Sequence, residues 1–210
     1  LDKDGRTTRF EFGRPRDRGA SETIFDMKPE ALFFEGDLAR IGAGFSGTDT
    51  KVDIPFAVGL IPILFQNGVW AQDAVVGGAF TIPARNSPAL QISNMDVTFF
   101  AGLQQVTTGA IPNDHQSSVF GFNAFIEANS GYWEIGYGYV DGRGPSSDLS
   151  YHNFSAAFTR RYFDFLSNSI RVIWNFGQKP GFGRTKTADG FLILLENSFA
   201  TSKPLTLVPY

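Results

Sequence analysis

Histidines and paired carboxylates are the residues that could do chemistry in this chain, and both are sparse. The 210 residues include two histidines, His115 and His152, and no cysteine. His115 lies in a polar segment and His152 in an alternating apolar one, so neither has the partners that Ser-His-Asp or metal chemistry needs. We predict no catalytic residue, no metal site and no cofactor.

One carboxylate pair has suggestive spacing. Glu127 and Glu134 flank a tight turn, and two carboxylates close together in a hairpin are the groups that glycosidases use. A chain with 21 acidic residues offers such pairs by chance. We therefore predict that this chain is not an enzyme.

Composition excludes several other classes. The net charge of −3 gives no basic field for nucleic acid, and the absence of cysteine excludes a disulfide scaffold. The sequence contains no run of about 18 apolar residues, so it offers no candidate transmembrane helix. The mean hydropathy of −0.10 is also typical of membrane β-barrels, in which only alternate residues are apolar.

The second half of the sequence reads as a regular series of long strands. Their length is at or above the roughly 9–11 residues that a tilted membrane strand needs. Short turns alternate with longer loops, as they do at the two rims of an outer-membrane barrel. The predicted strands are 90–106, 118–128, 131–142, 149–161, 168–177 and 189–199.

One strand shows the two faces most clearly. Trp133, Ile135, Tyr137 and Tyr139 alternate with Glu134 and a set of small residues. We predict that the aromatic side contacts lipid and that the other side faces water. An open sheet edge would leave unpaired backbone groups in hydrocarbon, so the expected fold is an all-β, antiparallel transmembrane β-barrel.

These faces define candidate sites. Charged side chains inside a pore tune its selectivity for ions. One hypothesis is a transverse electric field across the lumen, with Arg161 and Arg171 on one side and Glu127 and Glu134 on the other. Aromatic residues beside short turns are typical of the membrane interface. The predicted interface aromatics are Tyr132, Trp133, Tyr162 and Phe163. The predicted pore-lining residues are Glu127, Glu134, Asn153, Arg161, Arg171, Asn175, Asp96 and Arg40.

The first half of the chain is less regular. We predict a polar arm or loop over 1–30 and an antiparallel barrel over 31–210, with one or two strands over 32–47. Prolines and a glycine pair interrupt 55–80, which predicts an irregular apolar segment folded into the lumen, with a helical turn near 70–76.

Four segments carry a family resemblance: "FTIPARNSPALQISNMDVTFFAGL", "SYHNFSAAFTRRY", "SNSIRVIWNFGQ" and "LLENSFATSKPLTLVPY". They resemble outer-membrane porin-like proteins of Gram-negative bacteria of the planctomycete type, and more loosely large porins and alginate-export-type barrels. The resemblance covers about 32–210 and implies a passive channel. Family members are longer, so we expect the chain to be part of a larger barrel or of a sheet completed by a partner.

The predicted function is a porin-like channel in the bacterial outer membrane for passive diffusion of small solutes or ions. The expected partners are outer-membrane lipid, the solute, and either further copies of the chain or other envelope proteins, and no nucleic acid. Two alternatives stay open. One is a secreted β-sandwich that binds carbohydrate on aromatic faces, and the other is an envelope barrel that does not conduct.

Overall fold

The described part of the chain is built on one antiparallel sheet. The computed structural model describes residues 31–48, 52–113, 115–163, 165–183 and 185–199, so the predicted arm over 1–30 lies outside the described residues. Within these ranges nine strands pair in sequence order, each with the next. The all-β, antiparallel fold class is therefore confirmed. The strands are β1 Leu32–Asp37, β2 Pro55–Phe65, β3 Ala71–Ser87, β4 Ile92–Gln104, β5 Ser117–Ala128, β6 Gly131–Gly142, β7 Tyr151–Tyr162, β8 Leu166–Phe176 and β9 Gly190–Phe199.

The strands predicted for the second half are confirmed as β4 to β9, with ends within two residues of the expectation. The connections also alternate in length as expected. Two residues, Asn129 and Ser130, join β5 to β6, and both have positive φ as a tight hairpin turn requires. The turn 163–165 is similarly short, whereas 105–116, 143–150 and 177–189 are long.

The segment 32–47 differs from the expectation of one or two bent strands. It forms β1 and then a helix, α1 Leu38–Ser46. The Asp37 side chain accepts a hydrogen bond from the Arg40 backbone N–H at 2.9 Å, which caps the first turn, and Gly47 ends the helix in the left-handed conformation. Among the described residues, no helix is long and apolar enough to cross a membrane.

The segment 55–80 also differs from the expected irregular backbone, because it forms β2 and the first part of β3. Residues 71–76 are extended and Trp70 lies in a bend, which differs from the helical turn predicted near 70–76. Pro62 is tolerated because the pairing of β1 with β2 ends at Leu60, so that among the described residues β2 has no second neighbour at the proline.

A small apolar core lies between the sheet and the half of the β2–β3 hairpin that is nearer its turn. Its hairpin residues are Ile61 and Val75, and they pack with Val119 and Val140 of the sheet. The loop 105–116 contributes Val106 and Ile111 to the same cluster. This core fixes the hairpin against one face of the sheet, and the remainder of that face carries the polar side chains described next.

Candidate functional site: the covered polar face

The two faces of the sheet have an inverted pattern of exposure. Alternate residues of a strand lie on opposite faces. On β7 the side chain of Asn153 is fully buried, whereas its neighbour Phe154 is 41% exposed. On β8 Arg171 is 2% exposed, whereas Val172 is 39% exposed. We call the face of Asn153 and Arg171 the covered face and the face of Phe154 and Val172 the apolar face.

Aromatic side chains form a continuous row across the apolar face. Each strand from β2 to β9 contributes one aromatic residue, and each is the direct cross-strand partner of the next. The rings of the middle strands are in contact, with centroids 5.1 Å apart for Phe80 and Phe99, 6.1 Å for Phe99 and Phe122, and 6.2 Å for Phe122 and Tyr137. This aromatic row consists of Phe56, Phe80, Phe99, Phe122, Tyr137, Phe154, Trp174 and Phe191.

The tip of the β2–β3 hairpin, residues 65–70, lies over the covered face. A Cβ added at Gly136 would be 2.6 Å from the Phe65 ring, and one added at Gly138 would be 2.5 Å from the Trp70 ring. Both glycines of β6 are therefore needed for the hairpin tip to approach the sheet this closely. The Phe65 and Trp70 rings also pack edge to face, with centroids 4.9 Å apart.

Arg171 is the centre of a charged cluster on the covered face. Its Nη1 donates to the Glu134 carboxylate on β6 at 3.0 Å, and its Nε donates to Glu196 on β9 at 3.5 Å. Nη1 also donates to the side-chain oxygen of Gln66 at the hairpin tip. Asn123 donates to the other oxygen of Glu134 at 3.4 Å. The cluster thus joins strands β5, β6, β8 and β9 to the hairpin.

Further polar pairs cross the same face between neighbouring strands. Asn153 donates to the Asn175 side-chain oxygen at 2.7 Å, and Thr159 donates to Ser169 at 2.8 Å. Hydrogen-bonded polar pairs are how a sheet face satisfies buried polar groups. Outside the small apolar core around Val119 and Val140, the covered face therefore carries hydrogen-bonded polar side chains.

A cleft of about 280 Å³ opens between the hairpin tip and the strands β8 and β9. Val69 and Trp70 form one side, and Ile173, Asn175 and Leu192 form the other. The hairpin tip therefore leaves space on the covered face near β9.

Most of the predicted pore-lining residues share the covered face. Arg161 lies on it at the exposed end of β7. Arg40 does not, because it lies on α1 with an exposed side chain 3.5 Å from Asp53. The six that strand register places together are Asp96, Glu127, Glu134, Asn153, Arg171 and Asn175.

The predicted interface aromatics all lie at the rim of the short turns but on different faces. Trp133 is on the apolar face, 4.6 Å from Phe158 between ring centroids. Tyr132 is on the covered face. Tyr162 is on the apolar face with the Arg160 guanidinium 5.3 Å from its ring, and Phe163 occupies the turn itself.

The histidines stay apart from the charged cluster. His152 is on the apolar face, where its Nδ1 hydrogen-bonds to the Tyr137 hydroxyl at 2.7 Å. His115 is exposed and lies in the loop 105–116. No group of three or more His, Cys, Asp or Glu side chains among the described residues could hold a metal ion.

Three residues of the cluster were not predicted as site residues, namely Asn123, Gln66 and Glu196. Gln66 comes from the segment expected to be irregular, and Glu196 comes from β9, where both faces are largely apolar. The sequence feature that could have indicated the covering hairpin is the pair Gly136 and Gly138. Glycines repeated on one face of a strand often mark the close approach of another chain segment.

Comparison of the chain with protein-family models, with curated proteins and with solved structures finds no match. The resemblance to porin-like proteins therefore stays a prediction.

Proposed function

We propose that this chain forms part of the wall of a bacterial outer-membrane β-barrel through which small solutes or ions diffuse passively. The observation that carries the proposal is the inverted exposure of the two faces. Polar residues such as Asn153 and Arg171 are buried, whereas Val172 and Trp174 are 39% and 49% exposed. In water this arrangement is unfavourable, since large exposed apolar patches promote association. In a bilayer the apolar face is the one that contacts lipid.

The strand dimensions support the same proposal. β8 has 11 residues and β5, β6 and β7 have 12 each. At about 3.3 Å per residue and a tilt near 45°, such strands rise about 25 Å, which is the height of the apolar band of outer-membrane barrels. The aromatic row is also consistent with lipid contact, because aromatic side chains form girdles on these barrels.

Closure of the barrel needs strands beyond the described nine. Successive antiparallel pairing makes β1 and β9 run in the same direction, and in the described sheet each pairs on one side only. Direct pairing of β1 with β9 would be parallel, whereas bacterial barrels are antiparallel with an even number of strands. We therefore propose that an odd number of further strands completes the wall.

The covered face suits a water-filled interior. Several buried side-chain atoms there have no hydrogen-bond partner among the described residues, including Gln66 Nε2, Asn123 Oδ1 and Asn153 Oδ1. Buried polar atoms without a protein partner usually bond to water. The hairpin tip lies over this face and would therefore narrow the interior of the barrel. Such irregular backbone is tolerated at membrane depth where it lines a cavity.

The two alternatives receive less support. A β-sandwich needs two facing sheets, whereas the described strands form one. A barrel that does not conduct shares every feature above, so only a functional measurement separates it from a channel.

The test uses the membrane fraction of cells that produce the full chain. We expect the detergent-extracted protein to migrate differently on a denaturing gel before and after boiling, and to produce discrete conductance steps in planar bilayers. Recovery in the aqueous fraction without a mobility shift would overturn the membrane proposal. A mobility shift without conductance would be consistent with a barrel but would contradict the proposal that the barrel is a channel.

A further inference from the structure

The charged residues of the covered face occupy adjacent cross-strand rows. Asp96, Glu134 and Arg171 lie in one row. Glu127 and Glu196 lie in the next, which runs through Tyr132, Thr159 and Ser169. Arg161 follows at the rim. These rows hold four carboxylates against two guanidinium groups, so their net charge is negative.

The positive charge of Arg171 is compensated locally. Its guanidinium is 3.0 Å from one carboxylate and 3.5 Å from another. A buried cation between two carboxylates has little net field of its own at longer range. Arg171 therefore does not oppose the acidic residues across open space, which was the arrangement hypothesised from the sequence.

Asp96 and Glu127 form no ion pair with Arg171 or with any other described residue. The nearest charged side chain of the cluster is Glu134, which lies two strands from Asp96 and on the strand next to Glu127. The hairpin tip over the face, residues 65–70, contains no charged residue. Nothing on that segment offsets the two carboxylates.

We infer that the channel proposed above prefers cations to anions and that Asp96 and Glu127 are the residues that set this preference. The inference rests on the proposed function. The solutes it favours are small inorganic or organic cations. A unit charge about 10 Å from an ion path in water changes the local ion concentration about two-fold, and the effect is largest at low salt.

The experiment measures reversal potentials in planar bilayers across a dilute KCl gradient, using the full chain. We expect a K⁺/Cl⁻ permeability ratio above one for the parent protein. The D96N/E127Q variant should lower the ratio at least about four-fold, since each carboxylate changes the cation concentration about two-fold. Asp141→Asn is the matched control, because Asp141 pairs with Ser118 on the opposite face, and its ratio should not change.

The outcomes separate the inference from the proposed function. The inference would be overturned if the channel showed no cation preference, or if D96N/E127Q left that preference unchanged. Either result would still be consistent with the proposed channel. An equal effect of Asp141→Asn would also overturn it, because the preference would then come from overall charge. Absence of conductance in the parent protein and in every variant would overturn the channel together with its selectivity.

Discussion

Replacing Val172 with lysine tests whether the apolar face contacts lipid. Val172 lies near the middle of β8 on the apolar face, between Ala156 of β7 and Ile193 of β9. It is 39% exposed, so a lysine there has room and does not overpack a core. The substitution therefore probes the surroundings of the face rather than its packing.

The expected cost follows from the depth of the residue. A lysine on the lipid face near the midplane of a membrane barrel costs about 2–4 kcal/mol, whereas near the interface it costs about 0–1 kcal/mol. The larger value corresponds to about a 30-fold to several-hundred-fold loss in the ratio of folded to unfolded protein. On a face in contact with water the same substitution would change stability by about 0.5 kcal/mol or less.

The assay is urea titration of the protein folded into phospholipid vesicles, followed by the boiling-dependent shift in gel mobility. Leu166→Lys is the matched control, because Leu166 is on the apolar face of the same strand but at the rim of the short turns. We expect Val172→Lys to cost at least about 1 kcal/mol more than Leu166→Lys. Equal and small costs for the two variants would refute lipid contact at Val172.

Two further substitutions test the hairpin and the charged cluster. Gly138→Val should displace the hairpin tip, because even a Cβ there would be 2.5 Å from the Trp70 ring. We expect the displacement to increase protease cleavage within 65–70. Gly109→Val is the control, because a Cβ at Gly109 has no neighbour within 4 Å. Unchanged cleavage in Gly138→Val would contradict the docked tip. Arg171→Met should lower the free energy of unfolding by about 3–5 kcal/mol, because it leaves the largely buried Glu134 unpaired. Adding Glu134→Gln to this variant should restore part of the lost stability, and urea titrations measure both changes. Costs that simply add in the double variant would show that the two side chains do not interact.

The sequence predicted the second half of the fold because each strand there repeats the same physical pattern. Large apolar residues alternate with polar or small ones over about a dozen positions in β5, β6 and β7, which only an extended strand with two different surroundings explains. The same alternation placed Glu134, Asn153 and Arg171 on one face correctly. The aromatic row was not visible, because it depends on the register of every pair of strands.

The first half was harder to predict for a local reason. Proline and paired glycines in 55–80 are unfavourable in central strands, yet within the described sheet β2 has no second neighbour at Pro62, because its pairing with β1 ends at Leu60. That condition depends on the end of another strand. Contacts such as that between Gln66 and Arg171 join residues 105 positions apart. Periodicity assigns a residue to a face but does not identify which distant segment covers that face.

The most direct test of the central claim is the fluorescence of a protein that retains Trp174 alone among its three tryptophans. Trp174 lies in the aromatic row and is 49% exposed, and the variant carries Trp70→Phe and Trp133→Phe. In vesicles that contain lipids brominated on their acyl chains, we expect strong quenching of Trp174 and little quenching by aqueous iodide. Quenching by iodide and not by brominated lipid would show that the apolar face is in water, and would contradict the membrane barrel.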